Sequence, residues 1–227
     1  MRAFARAVWV ITRKDILIET RTREILLTTV FFALACVLVF AFGFVKEGRP
    51  MEDVAAGILW IAIAFSGTLA LGRAFERERQ AETLRALLLA PVPRPAIYVG
   101  KLLGIVALLV ATEAVLLPLV TLLFTARFFA HPFWLAGIVV TCTIGLAAVG
   151  TLFAAMLVRV RSRDMLLPVL LYPVVVPVII AGVQGTTALL QPVFDPVLVR
   201  FWLLLLATFD LVFVVLALWT FEAVMSD

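Results

Sequence analysis

The chain has 227 residues, of which 64% are hydrophobic and 15% are charged, and its formal net charge is +4. A mean hydropathy of +1.16 leaves too little polar surface for a water-soluble globular domain. The composition therefore excludes an ordinary soluble enzyme and indicates an integral membrane protein. The excess positive charge is interpreted as a topology signal rather than as a nucleic-acid-binding patch.

The first 24 residues form a basic segment ahead of the first apolar stretch. The segment is too long for a cleavable signal peptide and has no small-residue cleavage site. At about 100° per residue, Phe4, Val8, Ile11 and Ile18 fall within one sector of about 80°, which predicts an amphipathic helix lying at the membrane interface. Trp9 falls on the charged side, which weakens the pattern. The alternative is a basic flank that only sets the topology.

Six apolar stretches follow, and each is near or above the ~20 residues that a helix needs to cross ~30 Å of hydrocarbon. They cover residues 25–45, 54–72, 102–126, 133–158, 165–184 and 201–221. This pattern predicts an all-α membrane protein whose residues 25–227 form one domain of six transmembrane helices.

The basic residues fall mainly on one side of these spans. Six lie before the first span, six between the second and third, and three between the fourth and fifth, which makes fifteen of the nineteen. The positive-inside rule then predicts a multi-pass protein with both termini in the cytoplasm. Contact of this basic side with anionic lipid is a compatible secondary role.

The polar segment between the second and third spans predicts a short cytoplasmic helix over residues 76–89. Opposite charges recur three residues apart along it, leucines supply a small apolar face, and Pro91, Pro93 and Pro95 stop the helix. A charged helix that ends in a stiff extended segment is suited to transmitting motion into the third span. The alternative is a solvated loop.

Two acids lie at bilayer depth, Glu113 in the third span and Asp210 in the sixth. An isolated charge there costs at least ~2.5 kcal/mol, so both are expected to face the bundle interior, protonated or hydrogen-bonded. We interpret them as polar contacts between helices, with Thr112, Thr121 or Thr208 as nearby partners. A role in a cavity or in coupling is the alternative.

Three prolines, Pro168, Pro173 and Pro177, interrupt the hydrogen bonding of the fifth span. The carbonyls that they free must be satisfied by protein or water rather than by lipid. The fifth span is therefore expected to face a subunit interface or a cavity, and a kink without a functional role is the alternative.

The remaining reactive side chains predict no catalytic chemistry. Cys36 and Cys142 have no ligand at metal-binding spacing and are interpreted as buried packing residues. His131, the one histidine, lies in a short external turn, where it could ligate a haem iron or sense pH, although a place at the interface is favoured. The sequence has no P-loop, Ser/His/Asp set or metal cluster, so we expect no enzyme activity from this chain alone.

The segment from Phe75 to Leu102 resembles the signature of ABC-2-type transporter permeases, in which it is the coupling helix that docks into a cleft of the ATPase subunit. Four further blocks resemble the cytochrome c maturation protein B family, also called haem exporter protein B or CcmB. The blocks are Lys14–Glu19, Ala64–Glu78, Gly145–Ala155 and Leu166–Val178. The resemblance covers the whole chain, including its length and its six-helix plan.

The resemblance implies an ABC-2-type, type V exporter-like permease fold in the bacterial inner membrane. It also implies a short re-entrant hairpin between residues 184 and 200. The residues that it assigns to ATPase coupling are Glu76, Arg77, Glu78, Arg79, Glu82, Leu84, Arg85, Leu87 and Leu88.

The partners that the resemblance implies are a CcmA-like ATPase subunit, a second copy of this chain, a CcmC-like haem-handling membrane protein with a small subunit, and a CcmE-like haem chaperone. No cofactor is expected on this chain, because ATP belongs to the partner and haem is a possible substrate. ATP hydrolysis would serve either haem export or release of the loaded chaperone, and the lack of a recognisable haem pocket favours release. The alternatives are a generic ABC-2 exporter of polysaccharide, lipid or drug, and a non-transporting scaffold.

Overall fold

The computed structural model describes residues 2–46, 49–50, 54–80, 92–158, 160 and 162–224. Seven α-helices lie within these residues: α1 Arg2–Thr22, α2 Glu24–Gly43, α3 Ala55–Gln80, α4 Arg94–Phe124, α5 Pro132–Met156, α6 Arg163–Leu190 and α7 Pro196–Val224. A small antiparallel pair, β1 Val45–Lys46 and β2 Arg49–Pro50, follows α2, and a 3₁₀ turn at Phe128–Ala130 precedes α5. Helices α2 to α7 are long and apolar enough to cross a membrane, which confirms the predicted class.

The helices on both sides of the connection between the second and third spans have different bounds from the predicted ones. Helix α3 runs unbroken to Gln80, so residues 76–80 extend the helix of the second span past its apolar part instead of beginning a separate helix. Helix α4 begins at Arg94 with a proline in its first turn, eight residues before the predicted start. Proline is favourable there because the first N–H groups of a helix have no intrahelical partner. Residues 81–91 lie outside the described residues.

The expected re-entrant hairpin between residues 184 and 200 is wrong. Helix α6 continues to Leu190 and α7 begins at Pro196. The last turns of α6 are anchored by buried Thr186 and Leu189. The start of α7 is capped by Asp195, whose Oδ1 accepts hydrogen bonds from the Val197 and Leu198 N–H groups at 2.9 and 3.3 Å.

Helix α5 lies at the centre of the bundle, where it contacts α3, α4, α6 and α7. Its glycines allow close packing. A Cβ at Gly150 would collide with Leu71, and one at Gly145 would lie 2.7 Å from Asp210 Oδ1. The outer helices expose large apolar side chains such as Phe42 and Trp219. The outer surface is therefore suited to lipid and the centre to close helix contact.

Helix α1 packs against the first turns of α4. A Cβ at Gly100 would lie 2.8 Å from Ile11 Cβ, and Thr12 Oγ1 donates a hydrogen bond to the Gly100 carbonyl at 3.1 Å. Ile11, which the sequence places on the apolar face of the interfacial helix, is therefore buried against protein. The neighbouring apolar side chains Trp9 and Val10 are exposed.

Candidate coupling junction

Two acids of α1 hold the ends of two different membrane-spanning helices. Asp15 and Glu19 are four residues apart, so they lie on one face of α1. The Asp15 Oδ2 atom pairs with Lys101 Nζ of α4 at 2.6 Å, and Glu19 Oε2 pairs with Arg77 Nη1 of α3 at 3.0 Å. Helix α1 therefore bridges α3 and α4.

The two ion pairs differ in their access to solvent. The side chains of Lys101 and Asp15 are 7% and 16% exposed, and Lys14 Nζ lies 3.0 Å from the other oxygen of Asp15. The side chain of Arg77 is 30% exposed. The α4 pair is therefore a buried, charge-assisted contact whose disruption is costly, whereas the α3 pair is partly screened by solvent.

Glu19 also fixes the start of α2. Its Oε1 atom accepts a hydrogen bond from the Leu26 N–H at 2.8 Å, which satisfies one of the unpaired donors in the first turn of that helix. Between α1 and α2 the chain turns at Arg23, whose φ of 54° is left-handed, and the Arg23 N–H donates to the Glu19 carbonyl at 2.7 Å. One side chain thus connects α1, α2 and α3.

The two ion pairs, Asp15–Lys101 and Glu19–Arg77, form what we call the junction, and they lie on either side of residues 81–91, which hold most of the segment that the sequence assigns to coupling. Arg77 lies in the last turn of α3 and Lys101 in the second turn of α4, with residues 81–91 between the two helices. A displacement of that segment would act on both helices, and α1 resists any separation of their ends. The geometry is suited to passing a movement at the membrane surface into the bundle.

The structure places the sequence-predicted coupling residues in three groups. Glu76 and Arg77 are half-buried on α3. Glu78 and Arg79 belong to the same helix, but their side chains lie outside the described part of the structure. The residues that fall wholly outside it are Glu82, Leu84, Arg85, Leu87 and Leu88.

A second polar site lies deep in the bundle. Glu113 is 1% exposed and its Oε1 atom lies 2.5 Å from Thr143 Oγ1 of α5. The expectation that Thr112, Thr121 or Thr208 would be a partner is wrong, because each of these hydroxyls donates to the carbonyl four residues earlier in its own helix. A single sequence gives no signal that selects Thr143, since the pairing depends on how α4 and α5 pack.

Asp210 faces the same central helix from the other side. It is buried beside Gly145, where the absence of a side chain makes room for its carboxyl group. Among the residues that the structure describes, Glu113 Oε2 and Asp210 Oδ1 have no hydrogen-bond partner. Both acids therefore point at α5 from different helices, α4 and α7.

The histidine and the two cysteines that the sequence singles out are packed within the protein to different degrees. The ring of His131 stacks on Phe194 at 3.9 Å. Cys142 is buried, with Sγ 3.6 Å from the Val178 carbonyl, whereas Cys36 is only half-buried, unlike the expectation. No group of three potential metal ligands occurs in the described parts of the chain.

The three prolines lie within a continuous α6. Pro173 and Pro177 are exposed, and Pro168 is partly buried. A stripe of α6 that carries prolines is therefore not covered by the residues that the structure describes.

Six apolar spans, one of which is the central helix α5, together with a charged junction at one end, define a multi-pass membrane protein and are consistent with a permease. The model of the CcmB protein family matches residues 6–226, and the chain belongs to this family. Two similar proteins are named heme exporter protein B. The one from Paracoccus denitrificans is 32% identical over 70% of this chain and 72% of its own length, and the one from Rhodobacter capsulatus is 30% identical over 67% and 70%.

Proposed function

We propose that this chain is the permease subunit of an ABC transporter complex that serves haem export in cytochrome c maturation. The observation that carries the proposal is the junction in which α1 binds both helices that flank residues 81–91. The heme exporter proteins to which the chain is similar support the substrate class.

In this mechanism a separate CcmA-like ATPase hydrolyses ATP and contacts the coupling segment. Its movement shifts the ends of α3 and α4, and the ion pairs with Asp15 and Glu19 make α1 move with them. The chain itself contributes no hydrolytic step. The movement either transports haem or releases a haem-loaded CcmE-like chaperone from a CcmC-like protein and its small subunit. Both versions use the same ion pairs between α1 and the ends of α3 and α4.

A second copy of the chain completes the permease. Exposed Pro173 and Pro177 lie on α6, and carbonyls freed by prolines are not satisfied by lipid. Covering this stripe with the same stripe of another copy gives a twofold interface, the most common form of oligomer. The uneven distribution of basic residues supports placement in the bacterial inner membrane with both termini in the cytoplasm.

The test replaces Glu78 and Glu82 together with lysine in the full chain, co-expressed with the ATPase. Reversed charge should weaken co-purification of the ATPase by about tenfold or more, with a parallel loss of cytochrome c maturation. Insertion should remain normal because both positions lie beyond the apolar part of α3, which ends at Arg77. The matched control replaces Glu47 and Glu52, which lie in the connection at the other end of the second span, and should leave ATPase binding intact.

Full ATPase binding and full maturation by the Glu78/Glu82 variant would show that the segment is only a solvated loop. Normal maturation with a catalytically dead ATPase would instead favour a scaffold over a permease.

A further inference from the structure

A cavity of about 240 Å³ lies where α1, α2, α3 and α4 meet. Its rim is charged and includes Asp15, Glu19, Arg23, Arg77 and Lys101. Its deeper wall is apolar and includes Ile25, Leu26, Phe75, Ile105, Leu108 and Ala111. The cavity therefore has a charged end and an apolar end.

The change from charged to apolar follows the axis of α4. Lys101 lines the rim and Ala111 lines the deep end, and ten residues of helix at 1.5 Å each span about 15 Å. The hydrocarbon core of a bilayer is ~30 Å thick. The cavity thus extends over about the depth of one leaflet, from the membrane surface inwards.

The rim has one cation more than it has acids. Asp15 is paired with Lys101 and Glu19 with Arg77, whereas Arg23 makes no ion pair within the described part of the chain. The left-handed backbone of Arg23, with a φ of 54°, is uncommon for a residue other than glycine. Such conformations concentrate at ligand-binding and switch regions.

We propose that this cavity binds one anionic phospholipid from the leaflet on the basic side of the protein. The Arg23 guanidinium takes the headgroup phosphate, and an acyl chain occupies the wall formed by Leu26, Ile105 and Leu108. A free phosphate ion would use the rim but would leave the apolar wall empty. An anionic leaflet concentrates such lipids beside basic segments.

The test is native mass spectrometry of the purified full chain, titrated with phosphatidylglycerol or with phosphatidylcholine of the same acyl chains. The wild-type chain should bind phosphatidylglycerol about tenfold more tightly, since both headgroups offer a phosphate to Arg23 but only phosphatidylcholine brings a quaternary ammonium that cancels the net charge and is repelled by the cationic rim. Arg23→Asn removes the charge while keeping a residue that tolerates the left-handed backbone, and it should abolish the preference. Arg21→Asn, which alters an exposed arginine outside the cavity, should not.

The apolar end is tested separately. Ala107 also lines the cavity, so Ala107→Leu should narrow it and weaken the binding of both lipids. Ala114→Leu, at an exposed position of the same helix, should change the affinity for neither lipid by more than about twofold. Circular dichroism and elution volume check that each variant is folded.

Equal affinity of the wild-type chain for the two lipids overturns the proposal. Displacement of phosphatidylglycerol by inorganic phosphate would make the rim a phosphate site instead, and a purified dimer that retains no lipid would point to a protein occupant. None of these measurements involves the ATPase, so their failure leaves the coupling experiment unaffected.

Discussion

The junction at the end of the bundle and the polar site at its centre accommodate their acids in opposite ways. At the junction, Asp15 and Glu19 each have a cation from another helix within 3.0 Å. At the centre, Glu113 is held by a threonine hydroxyl and Asp210 lies against a glycine. Neither central acid has an ion-pair partner among the described residues.

Depth in the membrane accounts for the difference. Near the surface, water and lipid headgroups lower the cost of charge, so a partly exposed ion pair such as Glu19–Arg77 can form, break and re-form. In the hydrocarbon the desolvation penalty of a charge is large, and a hydrogen bond between neutral groups is the less costly solution. The Glu19–Arg77 end of the junction is therefore suited to movement, whereas the central contacts hold α4, α5 and α7 in a fixed arrangement.

The largest effect is expected from placing a cation in the centre. Glu113→Lys buries an ammonium group with no counter-ion and removes the contact with Thr143, at a cost of about 3–5 kcal/mol. We expect a large loss of folded protein in the membrane, measured as yield and dimer content after solubilisation. Glu113→Gln keeps a polar partner for Thr143 and should accumulate close to the wild-type level. Equal yields for the lysine variant and the wild-type chain would mean that position 113 reaches water.

The second prediction concerns the buried pair of the junction. Asp15→Asn removes the charge that pairs with the buried Lys101 at 2.6 Å and should lower the free energy of unfolding by about 1.5–3 kcal/mol. Lys101→Met should cost less, because Asp15 retains Lys14 at 3.0 Å. The double variant should be more stable than Asp15→Asn alone. Unfolding in mixed micelles measures the double-mutant cycle, and strict additivity would show that the two side chains do not interact.

The sequence predicts those features that depend on hydrophobicity and charge along the chain. The six spans follow from runs of about twenty apolar residues, and the helical N-terminus from its periodicity. The helix ends are less accurate, because Pro93 and Pro95 signal both the end of one helix and the start of the next. The unbroken course of α3 to Gln80 also has no distinct signal, since a charged amphipathic stretch can continue a span or follow it.

The sites are less predictable because they are made between helices. The sequence identifies Glu113 as an unusual residue, but Thr143 is one of several threonines in the spans, and only the packing of α4 on α5 selects it. Asp15 and Glu19 lie among many charges of the N-terminal segment, and nothing in one sequence pairs them with Lys101 and Arg77. The resemblance to the CcmB family predicts the correct family, whereas the resemblance to ABC-2 permeases predicts a re-entrant hairpin where the structure has the end of α6 and the start of α7.

The smallest effect is expected at the partly exposed pair of the junction. Glu19→Gln removes the charge that binds Arg77 but leaves an amide oxygen to accept the Leu26 N–H, so the start of α2 stays capped. Since Arg77 is 30% exposed, solvent screens the pair, and the loss in unfolding free energy should be about 0.5–1 kcal/mol. Glu19→Ala removes the cap as well and should cost about 1 kcal/mol more. If Glu19→Gln costs as much as Asp15→Asn, the two ion pairs are equally buried and the junction is rigid along its whole length. If its cost is small and falls further in high salt, the α3 end of the junction is the part of the molecule that can open.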